Sequence, residues 1–181
     1  MKSKGTVATI VCFILLLSLL LSGCGGSSTA PAKAPASPPA VSATVSKTIE
    51  PCELVSKADA QQYLGQPLRD PEKKETAAVG LKLCVYNTVQ EGSGKLLQIG
   101  ITQQSFMPNN GQTPQKLYAA LKGNFPNALK VDGIGNDAFI APPGLHILAG
   151  NYYLTVAVGN SNDPKNLELL KSIGKKIVAK L

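Results

Sequence analysis

The 181-residue chain contains no tryptophan and only one arginine, Arg69, and only 5% of its residues are aromatic. Surfaces that bind nucleic acids combine basic side chains, arginine prominent among them, with rings that stack on bases. The formal net charge of +7 could by itself suggest such a surface. Without that combination of arginine and aromatic residues, we expect no nucleic-acid partner.

Histidine is equally scarce, because His146 is the only one. A hydrolase triad would need it beside a nucleophile and a carboxylate, whereas its predicted position opposite Thr155 in a hairpin is more typical of a polar pair. The glycine-rich run 132–137 lacks the closing glutamate of a calcium loop and the strand-then-helix frame of a nucleotide loop. We therefore expect no catalytic residue, no metal ion and no non-covalent cofactor.

The amino end carries the most informative pattern. Lys2 and Lys4 precede an uncharged apolar run from Val7 to Leu21, and Leu21-Ser22-Gly23-Cys24 follows. This layout is typical of a secretory signal peptide, and its ending resembles the lipobox of bacterial lipoproteins. The resemblance implies cleavage after residue 23, with a diacylglycerol and an N-acyl group such as palmitate on Cys24. The alternative is an uncleaved anchor, but about 15 apolar residues are short for a bilayer span of about 20.

The composition changes after Cys24. Four prolines stand among alanine, serine and threonine in residues 25–50, and no apolar periodicity runs through them. Such a segment cannot bury enough surface to offset its ordering entropy. The sequence therefore predicts a signal peptide over 1–23, a lipidated cysteine and tether over 24–50, and one globular domain over 51–181. A coil of this length reaches roughly 30 Å, and a fully polyproline-like chain reaches roughly 80 Å.

Basic residues dominate the mature chain. Without Lys2 and Lys4 the 18 basic residues fall to 16, against 11 acidic ones, which leaves a net charge of +5. Five of the lysines lie in the last segment: Lys165, Lys171, Lys175, Lys176 and Lys180. They indicate a solvated helix face with lysines favoured near its carboxyl end. The alternative is attraction to anionic lipid or polymer of the cell envelope.

Two of the four cysteines, Cys52 and Cys84, lie within the predicted domain. In an exported protein such an even pair predicts a disulfide, and a loop of about 33 residues would stabilise the fold by about 3.5 kcal/mol. A metal site would require two further ligands near the two thiolates, and His146 is distant in sequence. A redox dithiol would have the Cys-x-x-Cys spacing.

Periodicity and capping residues predict an α+β domain of order α-β-β-α-β-β-β-α. Its antiparallel sheet has about five strands, with the helices packed on one face. The predicted helices occupy 57–64 and 114–122 and a long segment after Asp163-Pro164. The predicted strands occupy 83–89, 96–103, 137–141, 145–149 and 152–158. Residues 66–82 show no periodicity and are predicted to be irregular.

The last two strands join through Gly150-Asn151, a two-residue hairpin turn. This register pairs Ala149, Ile147 and Leu145 with Tyr152, Leu154 and Val156 on one apolar face. The opposite face pairs His146 with Thr155 and Leu148 with Tyr153. If it is exposed, Leu148 and Tyr153 form an apolar patch, so these four residues are the candidate contact face.

Several short motifs are similar to those of the lipoproteins classed as domain-of-unknown-function family 3558. They are Pro51-Cys52-Glu53-Leu54-Val55-Ser56, Tyr63-Leu64-Gly65, Cys84-Val85-Tyr86, Gly133-Ile134-Gly135-Asn136-Asp137-Ala138 and Tyr153-Leu154-Thr155-Val156. The resemblance implies an α+β head with a disulfide from the segment before the first helix to the first strand. It implies no catalytic residues, since that family has no settled activity.

Three functional hypotheses follow. The first is a non-enzymatic, membrane-anchored lipoprotein whose head, exposed outside the cytoplasm at the cell membrane or outer membrane, binds another envelope protein or polymer. The second is a carrier or sensor of a small apolar ligand held between sheet and helices, which would require an aliphatic pocket of several hundred cubic ångströms. The third is an enzyme, which would require a cleft holding His146 near a carboxylate.

Overall fold

The computed structural model describes residues 47–181 except positions 91, 93 and 162. The predicted signal peptide, Cys24 and most of the predicted tether lie outside these described residues. Seven strands form one antiparallel sheet: β1 (Glu72–Thr76), β2 (Leu81–Asn87), β3 (Leu96–Gln103), β4 (Leu129–Lys130), β5 (Asp137–Ala141), β6 (Gly144–Ala149) and β7 (Tyr152–Val158). Their spatial order is β1-β2-β3-β7-β6-β5-β4.

Four α-helices accompany the sheet in the described chain: α1 (Pro51–Leu54), α2 (Lys57–Leu64), α3 (Pro114–Gly123) and α4 (Pro164–Val178). Short 3-10 helices occupy Ala77–Val79 and Gln104–Phe106. Capping explains the boundaries of α2. The Ser56 hydroxyl accepts a hydrogen bond from the Asp59 backbone, the Asp59 side chain accepts from the Ser56 backbone, and Gly65 ends the helix at φ 64°.

The α+β class and the antiparallel sheet are confirmed, but the predicted five strands and the predicted element order are not. The sheet gains β1, which lies within the segment predicted to be irregular, and β4. All five residues of β1 are exposed, so this charged edge strand carries no alternation that a pattern could detect. The two-residue β4 and four-residue α1 are too short to produce a periodic signal.

The helices also cover both faces of the sheet, so the prediction that they all pack on one face is wrong. Leu64 of α2 and Ile173 of α4 belong to the large core beside Ile99 and Ile147. Tyr118 of α3 belongs to a second core with Phe139, on the opposite face. The physical reason is that β5, β6 and β7 also carry apolar side chains on that second face, and these need cover.

The amino-terminal segment is fastened to the sheet before α1 begins. The Ile49 backbone donates to the Gln103 side chain over 2.7 Å and accepts from it over 2.8 Å. Lys82, with its side chain 11% exposed, contacts the carboxylates of Glu50 at 2.5 Å and Glu75 at 2.7 Å. Residues 49 and 50, assigned by pattern to the tether, therefore contact the head.

The predicted disulfide between Cys52 and Cys84 is present, with a Cα–Cα distance of 5.2 Å. Cys84 is completely buried on the large-core face of β2. The bond joins α1 to β2, and the Tyr86 hydroxyl donates to the Val55 carbonyl beside it. The start of the head is thus tied to β2, the strand next to the edge strand β1.

Candidate ligand-binding cleft

The predicted register of the β6–β7 hairpin is confirmed. His146 pairs with Thr155 and Leu148 pairs with Tyr153, so the four residues of the candidate contact face do share one face of the sheet. Their exposure differs from that of an open patch, because His146 is 2% exposed and the other three are only partly exposed. Helix α3 packs over this face and accounts for the burial.

Capping residues fix the residue at which helix α3 begins. The Thr113 hydroxyl accepts from the Lys116 backbone, and Pro114 starts the helix. Tyr118 of this helix packs against the sheet. The centroid of its ring lies 5.5 Å from that of Tyr153, in an edge-on arrangement, and 5.4 Å from that of Phe139. Burial raises the pKa of both tyrosine hydroxyls, so the aromatic cluster stays uncharged.

Both ring nitrogens of His146 have partners. Nε2 lies 3.1 Å from the Ala141 carbonyl and 3.3 Å from the Pro142 carbonyl, and a carbonyl can only accept, which assigns the proton to Nε2. Nδ1 therefore accepts from the Tyr153 hydroxyl at 2.8 Å. The ring stacks on Phe139 at 4.9 Å, and burial lowers the pKa of His146 despite the two carbonyl contacts. The imidazole is neutral and serves the packing of this face.

An open cleft of about 420 Å³ runs between α3 and this face of the sheet; we refer to it as the α3 cleft. Most of its wall is aliphatic, contributed by β2, the preceding 3-10 helix, α3 and the β5–β6 turn. The lining residues are Val79, Leu81, Leu83, Gln98, Thr102, Leu117, Leu121, Pro142, Pro143, His146, Tyr153 and Thr155. None of these side chains is charged once His146 is neutral.

The polar groups of the α3 cleft lie close together. Gln98, Gly100 and Thr102 share one face of β3, and Gly100 pairs with Thr155 on β7. A Cβ at position 100 would lie 2.3 Å from the Thr155 hydroxyl oxygen, so only glycine leaves room for that hydroxyl. Three polar side chains on one apolar floor form the arrangement by which small-molecule sites orient a ligand.

A larger cavity of about 520 Å³ lies beyond the carboxyl end of α3. It is formed mainly by the loop residues 124–129, with Asn124 and Asn127 among them, and by Ser161. Its lining includes apolar residues such as Phe125 and Leu129, but Asn124, Asn127 and Ser161 make it more polar than the α3 cleft. The α3 cleft is therefore the better candidate for an apolar ligand.

Three residues of the α3 cleft, His146, Tyr153 and Thr155, belong to the contact face expected from the sequence, but no motif or periodicity predicted the cleft or its other lining residues. Strand β2 begins at Leu81, two residues before the predicted strand 83–89. The alternation of Leu81 and Leu83 with Lys82 and Cys84 is the sequence pattern that indicates this earlier start. Leu117 lies within the predicted helix 114–122, but no sequence pattern indicates which face of the sheet that helix covers.

No helix in the described part of the chain is long and apolar enough to cross a bilayer. Within the same residues, no group of three or more histidine, cysteine or acidic side chains could hold a metal ion. No family model, no curated protein and no solved structure matches this chain.

Proposed function

We propose that this protein is a non-enzymatic, lipid-anchored lipoprotein of the bacterial envelope whose head carries or senses a small apolar ligand in the α3 cleft. The cleft itself carries the proposal. Its volume of about 420 Å³ lies within the range of small-molecule sites, roughly 300–1,000 Å³. Its aliphatic wall with a few clustered polar groups matches the usual composition of such sites.

The face of the sheet below α3 is less suited to docking a macromolecule than to binding a small ligand. A docking surface needs a broad exposed area, whereas His146 is buried and Leu148 packs into the second core below α3. Binding of another envelope protein or polymer through these residues therefore ranks below ligand binding. An enzymatic role has no support from His146, since both of its nitrogens are engaged.

A binding titration with Nile red, an uncharged apolar fluorophore, tests the proposal. The parent protein should enhance the fluorescence in a saturable manner. Leu83→Gln combined with Leu117→Gln should weaken binding about tenfold or more, because an unpaired amide in an apolar site costs about 1–3 kcal/mol.

Val89→Gln is the matched control, since Val89 is 56% exposed and lies outside the cleft. It should bind the fluorophore as the parent does. Equal binding by the parent and the double variant, or no saturable binding by the parent, would refute ligand binding at the α3 cleft.

The proposed anchor rests on the lipobox-like segment ending at Cys24. A single acyl chain holds a protein to a bilayer only marginally, whereas two or three chains hold it stably. Cys24→Ser should therefore release the protein from the membrane fraction or leave an unprocessed precursor. If the variant fractionates and migrates like the parent, Cys24 is not the lipidation site.

A further inference from the structure

The lining of the α3 cleft restricts the charge of its ligand. The described chain is rich in lysine elsewhere, yet no lysine or arginine lines this cleft. A carboxylate or phosphate placed there would lose its hydration without gaining a counter-charge, which is strongly unfavourable. An uncharged ligand would not incur this cost of desolvating a charge. Complementarity of charge therefore favours a neutral occupant.

The polar groups restrict its chemistry further. Within the described residues, the side chains of Gln98, Thr102 and Thr155 take part in no intramolecular hydrogen bond. Two hydroxyls and an amide can all donate, and the Tyr153 hydroxyl already donates to His146. A ligand acceptor such as an ester carbonyl would satisfy these donors. The aliphatic wall would then cover a hydrocarbon chain.

The volume restricts the length of that chain. If each methylene occupies about the space of one water molecule, roughly 30 Å³, the cleft of about 420 Å³ holds roughly 14 methylenes. One acyl chain of ordinary membrane length fits this space, and two chains do not.

The position of the tether indicates where such a ligand comes from. Thr102 lines the cleft, and the next residue, Gln103, binds the Ile49 backbone. Thr48 also donates to the Ser105 hydroxyl at 3.0 Å. Residues 48 and 49 therefore contact the strand end at which the cleft begins, although Ile49 packs on the large-core face of the sheet. The predicted tether from Cys24 would reach roughly 30 Å as a coil and roughly 80 Å as a polyproline-like chain. A lipidated Cys24 would keep the head within that reach of a membrane.

We propose that the α3 cleft binds a neutral, single-chain acyl ester of the monoacylglycerol type, taken from the membrane to which the tether holds the head. The inference rests on the proposed function, because it specifies the apolar ligand of the same cleft. The ester carbonyl accepts from Thr155 and Gln98, and the acyl chain lies along Leu83 and Leu117.

Photo-crosslinking tests this proposal with the full-length lipoprotein in phosphatidylcholine vesicles. One probe is a monoacylglycerol with a diazirine in its acyl chain, and the other is an alkyl sulfonate with the same chain and diazirine. Mass spectrometry locates the labelled peptides. The monoacylglycerol should label the cleft peptides about tenfold more than the sulfonate, although the basic protein attracts the anion.

Variants assign the labelling to the cleft. Leu83→Gln with Leu117→Gln should reduce it to background, and Val89→Gln should not change it. Thr155→Val keeps the side-chain shape and removes the hydroxyl, so it should reduce monoacylglycerol labelling about three- to tenfold.

Each contrary outcome has a distinct meaning. Equal labelling by the sulfonate would overturn the neutral ester while leaving apolar ligand binding intact. Labelling that emerges only in Cys24→Ser protein would show that the protein's own acyl chains fill the cleft, which overturns the proposed source. Absence of both crosslinking and Nile red binding would overturn the proposed function as well.

Discussion

The Tyr153 hydroxyl donates a hydrogen bond of 2.8 Å to Nδ1 of His146 from the neighbouring strand. The bond requires Nδ1 to be unprotonated, and the carbonyls at Nε2 require a proton there. A second proton on the ring would remove the acceptor of the Tyr153 hydroxyl. The folded state of this pair is thus specific for neutral histidine.

We predict that the protein loses stability as the pH falls through the ordinary histidine range. Burial lowers the pKa of His146 from its ordinary value of 6.5, so the unfolded chain binds a proton at a pH where the folded chain does not. The free energy of unfolding is therefore highest above pH 6.5 and falls below it, levelling once the folded protein also protonates. Thermal melts from about pH 7.5 to about pH 5.5 measure this decline.

His146→Gln provides the comparison, because its amide can donate to a carbonyl and accept from Tyr153 without titrating. Its melting temperature should change less over the same range. Asp70 and Glu168 also have lowered pKa values, from ordinary values of 3.8 and 4.5. Both groups therefore change charge below the pH range of these melts. Equal slopes for the two proteins would contradict the role of His146.

We predict that removal of the disulfide weakens the fold substantially. Cys52→Ala with Cys84→Ala releases a loop with a sequence separation of 32, and the free energy of unfolding should fall by about 3.5 kcal/mol. Chemical denaturation measures the change. The parent under reducing conditions should match the variant, and two alkylatable thiols in the unreduced mature head would show that the bond is absent.

We predict that Lys82 holds the entry of the tether in place. Lys82→Met leaves Glu50 and Glu75 without their shared cation, so the free energy of unfolding should fall by about 1–3 kcal/mol. Hydrogen exchange at the Ile49 amide should accelerate as the segment loosens. The pKa of Lys82 is raised by its hydrogen bonds to the two carboxylates, which agrees with a stabilising contact.

Lys74→Met is the matched control for Lys82. Lys74 contacts Glu72 at 3.5 Å with its side chain 62% exposed, and such surface pairs contribute between zero and about 1 kcal/mol. The control should leave exchange at Ile49 unchanged. If both substitutions lower the free energy of unfolding and accelerate exchange at Ile49 equally, the burial of Lys82 does not strengthen its contacts with Glu50 and Glu75.

Local patterns predicted most of the described elements well. Ser56 and Gly65 bound α2, Thr113 with Pro114 starts α3, and β3 occupies the predicted residues. Caps and tight turns act over three or four residues, so their chemistry is readable along the chain. The edge strand β1 was missed because charged residues on both of its faces give no period.

Tertiary placement explains what the patterns could not predict. No pattern in the sequence indicates that a helix covers the face of β6 and β7 that carries Leu148 and Tyr153. In the structure α3 packs on that face. An amphipathic helix has an apolar side that can pack on either face of a sheet, and the choice depends on how all the elements together fill space. The α3 cleft arises where α3 covers only part of that face.

The sequence by itself determined the α+β class, the register of the β6–β7 hairpin, the caps and the pairing of Cys52 with Cys84, because each depends on neighbours along the chain or on the number of cysteines. Only the tertiary structure decided that helices cover both faces, that His146 is buried and neutral, and that Leu83 and Leu117 line one cleft. Those features depend on contacts between residues far apart in sequence, and such contacts form only when the elements pack together.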